Sequence, residues 1–122
     1  MALPNSEWQN RILQTLAQFL NLAESPDAEW RVKRPTTKAY KAAVDLISEM
    51  PPSKVAGLPL PRIAPDRQGG IQLEWEKGKY AIEISISPNG SFELLKTTPE
   101  DEQEGHCSFA RARETILWLS QV

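Results

Sequence analysis

The chain has 122 residues, of which 40% are hydrophobic and 25% charged, with one cysteine and a formal charge of −2. This size and composition predict a single globular domain over residues 1–122. The near-neutral charge argues against general binding to nucleic acid or to an anionic membrane, and the single cysteine excludes an intramolecular disulfide. Because the sequence also has neither a secretory signal nor a run of ~20 apolar residues, we expect a cytoplasmic protein.

The first predicted element is an amphipathic helix. Ser6 and Gln9 form a capping box, and apolar residues at three- and four-residue spacing predict a helix from about Glu7 to Glu24, ending before Pro26. The apolar residues of its buried face are Trp8, Ile12, Leu16, Phe19, Leu20 and Ala23.

A second helix is predicted to begin after a threonine cap, Thr36 or Thr37, and to stop at Pro51 and Pro52. Its predicted buried stripe is Tyr40, Ala43, Val44, Ile47 and Met50.

Residues 51–70 contain five of the ten prolines, which disfavour a helix interior or a central strand. We interpret them as an extended connector within the domain. Its apolar residues are expected to pack it against the core: Val55, Leu58, Leu60 and Ile63.

Period-two alternation then predicts strands at 71–76 and 80–86, both with one apolar face. Closing the turn Glu76–Lys79 pairs Trp75 with Tyr80 and Leu73 with Ile82, which puts Glu74 beside Ala81.

Pro88, Asn89 and Gly90 suit a three-residue hairpin loop, with the glycine in the left-handed conformation. This loop places Ile86 opposite Phe92 and extends the apolar face to a third strand.

The residues after Lys96 are polar, acidic and without periodicity, and predict a loop. Ser108 then caps a last helix whose apolar residues are Phe109, Ala112, Ile116, Leu117 and Leu119. The predicted fold is therefore α+β: two N-terminal helices, a three-stranded antiparallel β-meander and a C-terminal helix, with the helices on one sheet face.

Clustered carboxylates suggest a divalent-cation site as one alternative, with calcium as the ion. The candidate ligands are Glu74, Glu83 and Glu93 on the solvent face of the sheet and Glu100, Asp101, Glu102 and Glu104 in the acidic loop. No calcium-loop spacing accompanies them, and an ordinary solvated surface explains the same residues.

Other candidate sites are weaker. Arg31, Lys33 and Arg34 follow Trp30, which could stack on a base, but a core tryptophan explains it equally well. His106 and Cys107 lack the further ligands or base that zinc binding or nucleophilic catalysis requires.

The glycine pair at 69–70 precedes a strand, whereas phosphate-binding glycine loops lead from a strand into a helix. The proline-rich connector, the glycine pair, the strand Gly70–Trp75 of sequence GIQLEW and the following hairpin resemble a group of small uncharacterised prokaryotic proteins. The resemblance covers about Pro59 to Ile86. It implies a bacterial origin and an operon-encoded accessory role, and it assigns no site residues.

The leading hypothesis is a non-enzymatic interaction or regulatory protein whose partner is another protein, bound by the outer sheet face or by the connector. It requires Glu74, Glu83 and Glu93 to face outward together. The alternatives are the calcium binder and an enzyme using a carboxylate pair, such as Glu74 with Glu83, for acid–base chemistry. Free sheet edges also permit a homodimer.

Overall fold

The computed structural model describes residues 7–21 and 33–122, and their fold is α+β. The helices are α1 (Glu7–Gln18), continued by a 3-10 turn (Phe19–Asn21), α2 (Thr37–Ser48), α3 (Pro52–Val55) and α4 (Phe109–Gln121). The strands are β1 (Arg62–Pro65), β2 (Ile71–Lys77), β3 (Tyr80–Ile86), β4 (Phe92–Thr97) and β5 (Glu102–Cys107). They form one antiparallel sheet in the order β1-β2-β3-β4-β5. The predicted class is confirmed, but the prediction of three strands is wrong.

One face of the sheet forms the core. Its buried side chains are Ile71, Leu73, Trp75, Ile82, Ile84, Ile86, Phe92 and Leu94. Helix α2 contacts β2 and β3, and α4 contacts β3 and β4, so both helices lie on this apolar face. The alternation of apolar and polar residues along the central strands therefore leaves mostly polar side chains on the opposite face, with Ala81 and Leu95 as apolar exceptions.

The predicted register between β2 and β3 is wrong by two residues. Trp75 lies opposite Ile82 rather than Tyr80, because Lys77 and Tyr80 close a two-residue turn. Gly78 has φ +62° at the first central position, as a type II′ turn requires. Both registers keep the same residues on the apolar face, since a shift of two residues preserves the alternation.

The second hairpin is confirmed. Ile86 lies opposite Phe92, and the backbone N–H of Ser87 donates to the carbonyl of Ser91 at 2.9 Å. Gly90 adopts φ +88° in the loop, as predicted.

The two outer strands contradict the sequence-based loop predictions. β5 occupies part of the predicted acidic loop and pairs with β4, and β1 lies within the predicted connector. β5 lacks apolar alternation because its side chains are mostly exposed at the margin of the sheet. β1 ends in Pro65, which an edge strand tolerates.

The remainder of the connector is also more structured than predicted. Pro52 begins the short helix α3, where proline's missing N–H costs no hydrogen bond. Val55 and Leu58 are buried as expected, and Ile63 packs against the core. Leu60 is 46% exposed, so its predicted packing is wrong.

The two helix caps within the described residues follow the prediction. Thr36 Oγ1 accepts from Ala39 N at 3.1 Å, and Ser108 Oγ accepts from Arg111 N at 3.0 Å. The predicted start at Glu7 is found, whereas Ser6 and the segment from Ala23 through Glu24 to Pro26 lie outside the described residues.

The buried stripes of α2 and α4 differ slightly from the prediction. In α2 the stripe is rotated, since Tyr40 and Val44 are half-buried; the buried residues are Ala39, Ala43, Leu46 and Ile47. In α4 the buried residues are Ala112, Thr115, Ile116 and Leu119.

Helix α1 is tied to the rest of the protein by its first turns. Trp8 stacks on Trp75 with ring centroids 6.3 Å apart, and its Nε1 donates to the carbonyl of Pro59 at 3.3 Å. Gln9 Nε2 donates to the carbonyls of Ile47 and Met50, which supplies partners for the C-terminal end of α2. No helix among residues 7–21 and 33–122 is long and apolar enough to cross a membrane.

Candidate functional site

The sheet face opposite the core, here called the outer face, carries most of the acidic side chains of the strands. Its glutamates are Glu74, Glu76, Glu83, Glu93, Glu102 and Glu104. None of the described side chains on this face is buried. Arg62 is the one Lys or Arg among the strand residues described on this face, so with histidine left out of the count the outer face has a formal charge of −5. The whole chain carries −2, so the remaining side chains sum to +3.

The β2–β3 register places two of these carboxylates directly opposite each other. Glu74 pairs with Glu83, not with Ala81 as the sequence-based register implied. Both side chains are half-buried, and Arg62 Nη1 lies 3.6 Å from Glu74 Oε2. Like charges directly opposite on neighbouring strands destabilise a sheet. Arg62 offsets this for Glu74, whereas no ion pair of Glu83 is formed among the described residues.

Glu93 completes the predicted outward-facing set. It lies on β4 diagonal to Glu83 and opposite His106, whose Nδ1 is 3.5 Å from Glu93 Oε1. Both side chains are largely exposed, at 60% for Glu93 and 83% for His106. Glu74, Glu83 and Glu93 therefore share the outer face, as the leading hypothesis required.

A shallow depression of ≈ 130 Å³ lies on the outer face above Ala81. Ala81 faces Glu76 across β2 and Thr97 across β4, and its short side chain leaves space between longer neighbours. The outer-face residues around it are Glu74, Glu76, Ala81, Glu83, Leu95 and Thr97. This lining joins carboxylates to a small apolar floor, a combination that suits the aliphatic stem and charged head of lysine or arginine.

The acids of the predicted loop do not form one group. Glu100 and Asp101 are exposed in the turn after β4, where Asp101 N donates to Thr98 Oγ1 at 3.0 Å. Glu102 and Glu104 instead belong to β5 and join the outer face. Among the residues that the structure describes, no three His, Cys, Asp or Glu side chains are grouped so that they could hold a metal ion. The calcium alternative stays a prediction.

His106 and Cys107 point to opposite faces of β5. Cys107 lies opposite Phe92 and packs against the core, whereas His106 is on the outer face. Burial raises the pKa of the Cys107 thiol, and the Arg111 guanidinium offsets only part of this effect. The thiol is therefore a weak nucleophile at neutral pH.

The basic stretch after Trp30 is only partly described. Trp30 and Arg31 lie outside the described residues, and Lys33, Arg34, Lys38 and Lys41 are exposed. Lys38 and Lys41 belong to α2, on the helical side of the sheet. The structure thus separates these lysines from the acidic outer face.

Sequence reasoning found three outer-face glutamates but missed the role of their neighbours. Ala81 and Leu95 gave no signal, because the depression depends on side chains from three strands in the correct register. Glu102, Glu104 and His106 were missed as sheet residues because β5 has no apolar alternation.

No family model, curated protein or solved structure matches this chain. Its function is therefore inferred from its own residues.

Proposed function

We propose that this protein is a non-enzymatic interaction module whose outer face docks on a basic surface of another protein. The observation that supports this most is the separation of charge: the outer face carries −5, although the whole chain carries only −2. Electrostatic complementarity of this kind guides association and selects partners.

The depression above Ala81 gives the interface a centre. An arginine or lysine of the partner would lay its aliphatic stem against Ala81 and Leu95 and bring its charge between Glu74 and Glu83. A guanidinium can bind carboxylates through two parallel hydrogen bonds, and desolvated arginines are frequent hot spots of interfaces. Binding would also relieve the repulsion between the two carboxylates.

The charge of the outer face favours a protein partner over other macromolecules. Nucleic acids and anionic membranes carry phosphate charges that this face would repel. The accessory role implied by the sequence resemblance of Pro59–Ile86 is consistent with a binding module, and prokaryotic origin remains part of the proposal.

The test is quantitative affinity capture from an extract of the source cell, using the intact chain and two double variants. E74Q/E83Q removes the central carboxylates, and E49Q/E114Q makes the same charge change at two exposed residues, the C-cap of α2 and a residue of α4. We expect the unmodified chain and E49Q/E114Q to retain the same basic protein, which salt elutes, and E74Q/E83Q to lose it. Equal retention by all three proteins would contradict docking at the outer face.

A further inference from the structure

The two edges of the sheet differ in their capacity to accept another strand. β1 has four residues, includes Pro65 and follows Pro61, so it offers few backbone N–H groups. β5 has six residues without proline, and no described strand pairs with the edge of β5 that faces away from β4. An unpaired edge of this kind is a template for strand addition.

A groove runs along the helical side of β5. It has a volume of ≈ 160 Å³ and is lined by Leu94, Gln103, Glu104, Gly105, His106, Cys107 and Arg111. Gly105 lies opposite Leu94, and a Cβ placed on Gly105 would meet no atom within 4 Å among the described residues. The missing side chain therefore leaves room for an apolar side chain of an added strand.

The other side of β5 has the opposite character. Glu102 and Glu104 point to the outer face, and both are exposed. In an added strand, the residue beside Gly105 would point into the groove. The residues beside Glu104 and Glu102 would point to the opposite face, towards these carboxylates. The edge thus presents a groove on one side, in which Leu94 and Cys107 are the apolar residues beside Gln103 and Arg111, and two acidic positions on the other.

A second copy of β5 fits this edge less well than a basic strand does. Antiparallel pairing of two copies about Glu104 or about Gln103 would place carboxylates opposite each other, and like charges in that position destabilise the pair. Pairing about Gly105 avoids this repulsion, but it sets glycine against glycine and leaves the groove without a side chain. A strand with lysine or arginine at the matching positions would instead gain favourable electrostatic interactions with Glu102 and Glu104.

We infer that β5 accepts a basic β-strand of the partner protein, which becomes the sixth strand of the sheet. This inference rests on the proposed function, since it assigns the binding element of the same basic partner. Antiparallel addition, which all pairs of this sheet follow, sets the sequence pattern. In chain order the added strand has an apolar residue beside Gly105, a basic residue beside Glu104, any residue beside Gln103 and a basic residue beside Glu102.

The test uses a synthetic peptide of about eight residues containing valine-lysine-threonine-lysine, a length typical of a short strand. Its binding to the 15N-labelled chain is followed by NMR, which reports shifts and amide-exchange protection for Glu102–Cys107. Two N-methylated peptides, each blocking alternate amides, keep the charge but remove hydrogen bonds from one edge. One should fail to bind and the other should bind as the parent does.

One peptide variant and one protein variant test the two sides of the edge. Gly105 has φ +157°, where any side chain would strain the backbone, so the groove is tested through the peptide. Replacing the valine of the peptide with alanine is expected to weaken binding about tenfold, as loss of one good apolar contact would. E102Q/E104Q is expected to weaken binding and to reduce its salt dependence. A thermal midpoint equal to that of the unmodified chain establishes that this variant is folded.

The outcomes separate this inference from the proposed function. Strand addition is supported if the parent peptide protects the β5 amides from exchange and one of the two N-methylated peptides does not. Shifts confined to residues around Glu74 and Glu83, equal binding of both N-methylated peptides, or no binding at all would overturn it. Docking at the outer face is judged separately by capture with E74Q/E83Q.

Discussion

Gly70 lies where the β1–β2 turn packs closely against β3. Asp66 Oδ1 accepts from Gln68 N at 2.7 Å and from Gly70 N at 2.8 Å, which closes the turn. A Cβ on Gly70 would collide with the carbonyl oxygen of Ile86 and the carboxylate of Asp66. Only glycine fits this position without moving the backbone of β3.

G70A is therefore expected to lower the free energy of unfolding by about 2 kcal/mol or more, because the collision involves backbone that cannot rotate away. G57A is the matched control, since a Cβ on Gly57 meets no atom within 4 Å. Urea denaturation of both variants measures the difference. A loss for G70A no larger than that for G57A would contradict the predicted contact.

Cys107 allows a second prediction at this scale. Because burial raises its pKa and Arg111 only partly offsets this, less thiolate is present at a given pH than for a free cysteine of pKa ~8.5. Iodoacetamide should therefore modify Cys107 slowly at pH 8, with a midpoint of the pH–rate profile above that of a free thiol.

Replacing Arg111 with methionine tests whether the guanidinium lowers the pKa of Cys107. Loss of the guanidinium should raise the pKa of Cys107 further and move the pH–rate midpoint upward. If Cys107 of the unmodified chain has a midpoint at or below that of a free cysteine, burial is not the dominant influence on its pKa.

At the scale of elements, the pairing of β2 with β3 brings two like charges together. The register places Glu74 against Glu83, and among the described residues an ion pair is formed by Glu74, with Arg62, but not by Glu83. An isolated sheet gains nothing from such a pair. A partner cation between the two carboxylates would turn the repulsion into a source of affinity.

E83Q should consequently raise the free energy of unfolding by about 0.5 kcal/mol, since the carboxylates are half-exposed and solvent screens their repulsion. E76Q is the control, because Glu76 lies opposite Ala81 and has no directly paired carboxylate. Thermal and urea denaturation at low salt should show the gain for E83Q, and it should shrink at high salt. Destabilisation by E83Q would mean that Glu83 has a favourable role in the free protein.

The sequence predicted those elements whose signals are local. Thr36 and Ser108 cap helices where expected, and Gly90 fixes the β3–β4 hairpin with its register. The β2–β3 register was missed because apolar alternation cannot distinguish two pairings that differ by two residues. Gly78 followed by a single residue before β3 was the available signal for the shorter turn.

The outer strands could not be predicted from burial patterns. β5 shows an almost wholly exposed pattern, and β1 has only four residues among prolines. Their pairing is enforced by the neighbouring strands and by turns such as Thr98–Asp101, where Thr98 N donates to Asp101 O at 2.8 Å. The candidate site could not be predicted for related reasons. The depression forms only in the correct register of β2, β3 and β4, and the free edge exists only once β5 pairs with β4.

At the scale of the whole molecule, the fold separates two chemical environments. The helical side holds the core, including the stacked Trp8 and Trp75, and the exposed lysines of α2. The outer face concentrates negative charge on a sheet whose backbone is fixed by four strand pairings. A rigid charged surface loses little conformational entropy on binding, so complementary charge can be used for affinity and partner choice.

The prolines at β1 also bear on self-association through the sheet edges. Pro61 and Pro65 leave the β1 edge with few backbone N–H groups, whereas no described strand pairs with the free edge of β5. A head-to-tail chain of copies needs two edges that accept a strand, so the prolines oppose growth of such a chain through β1.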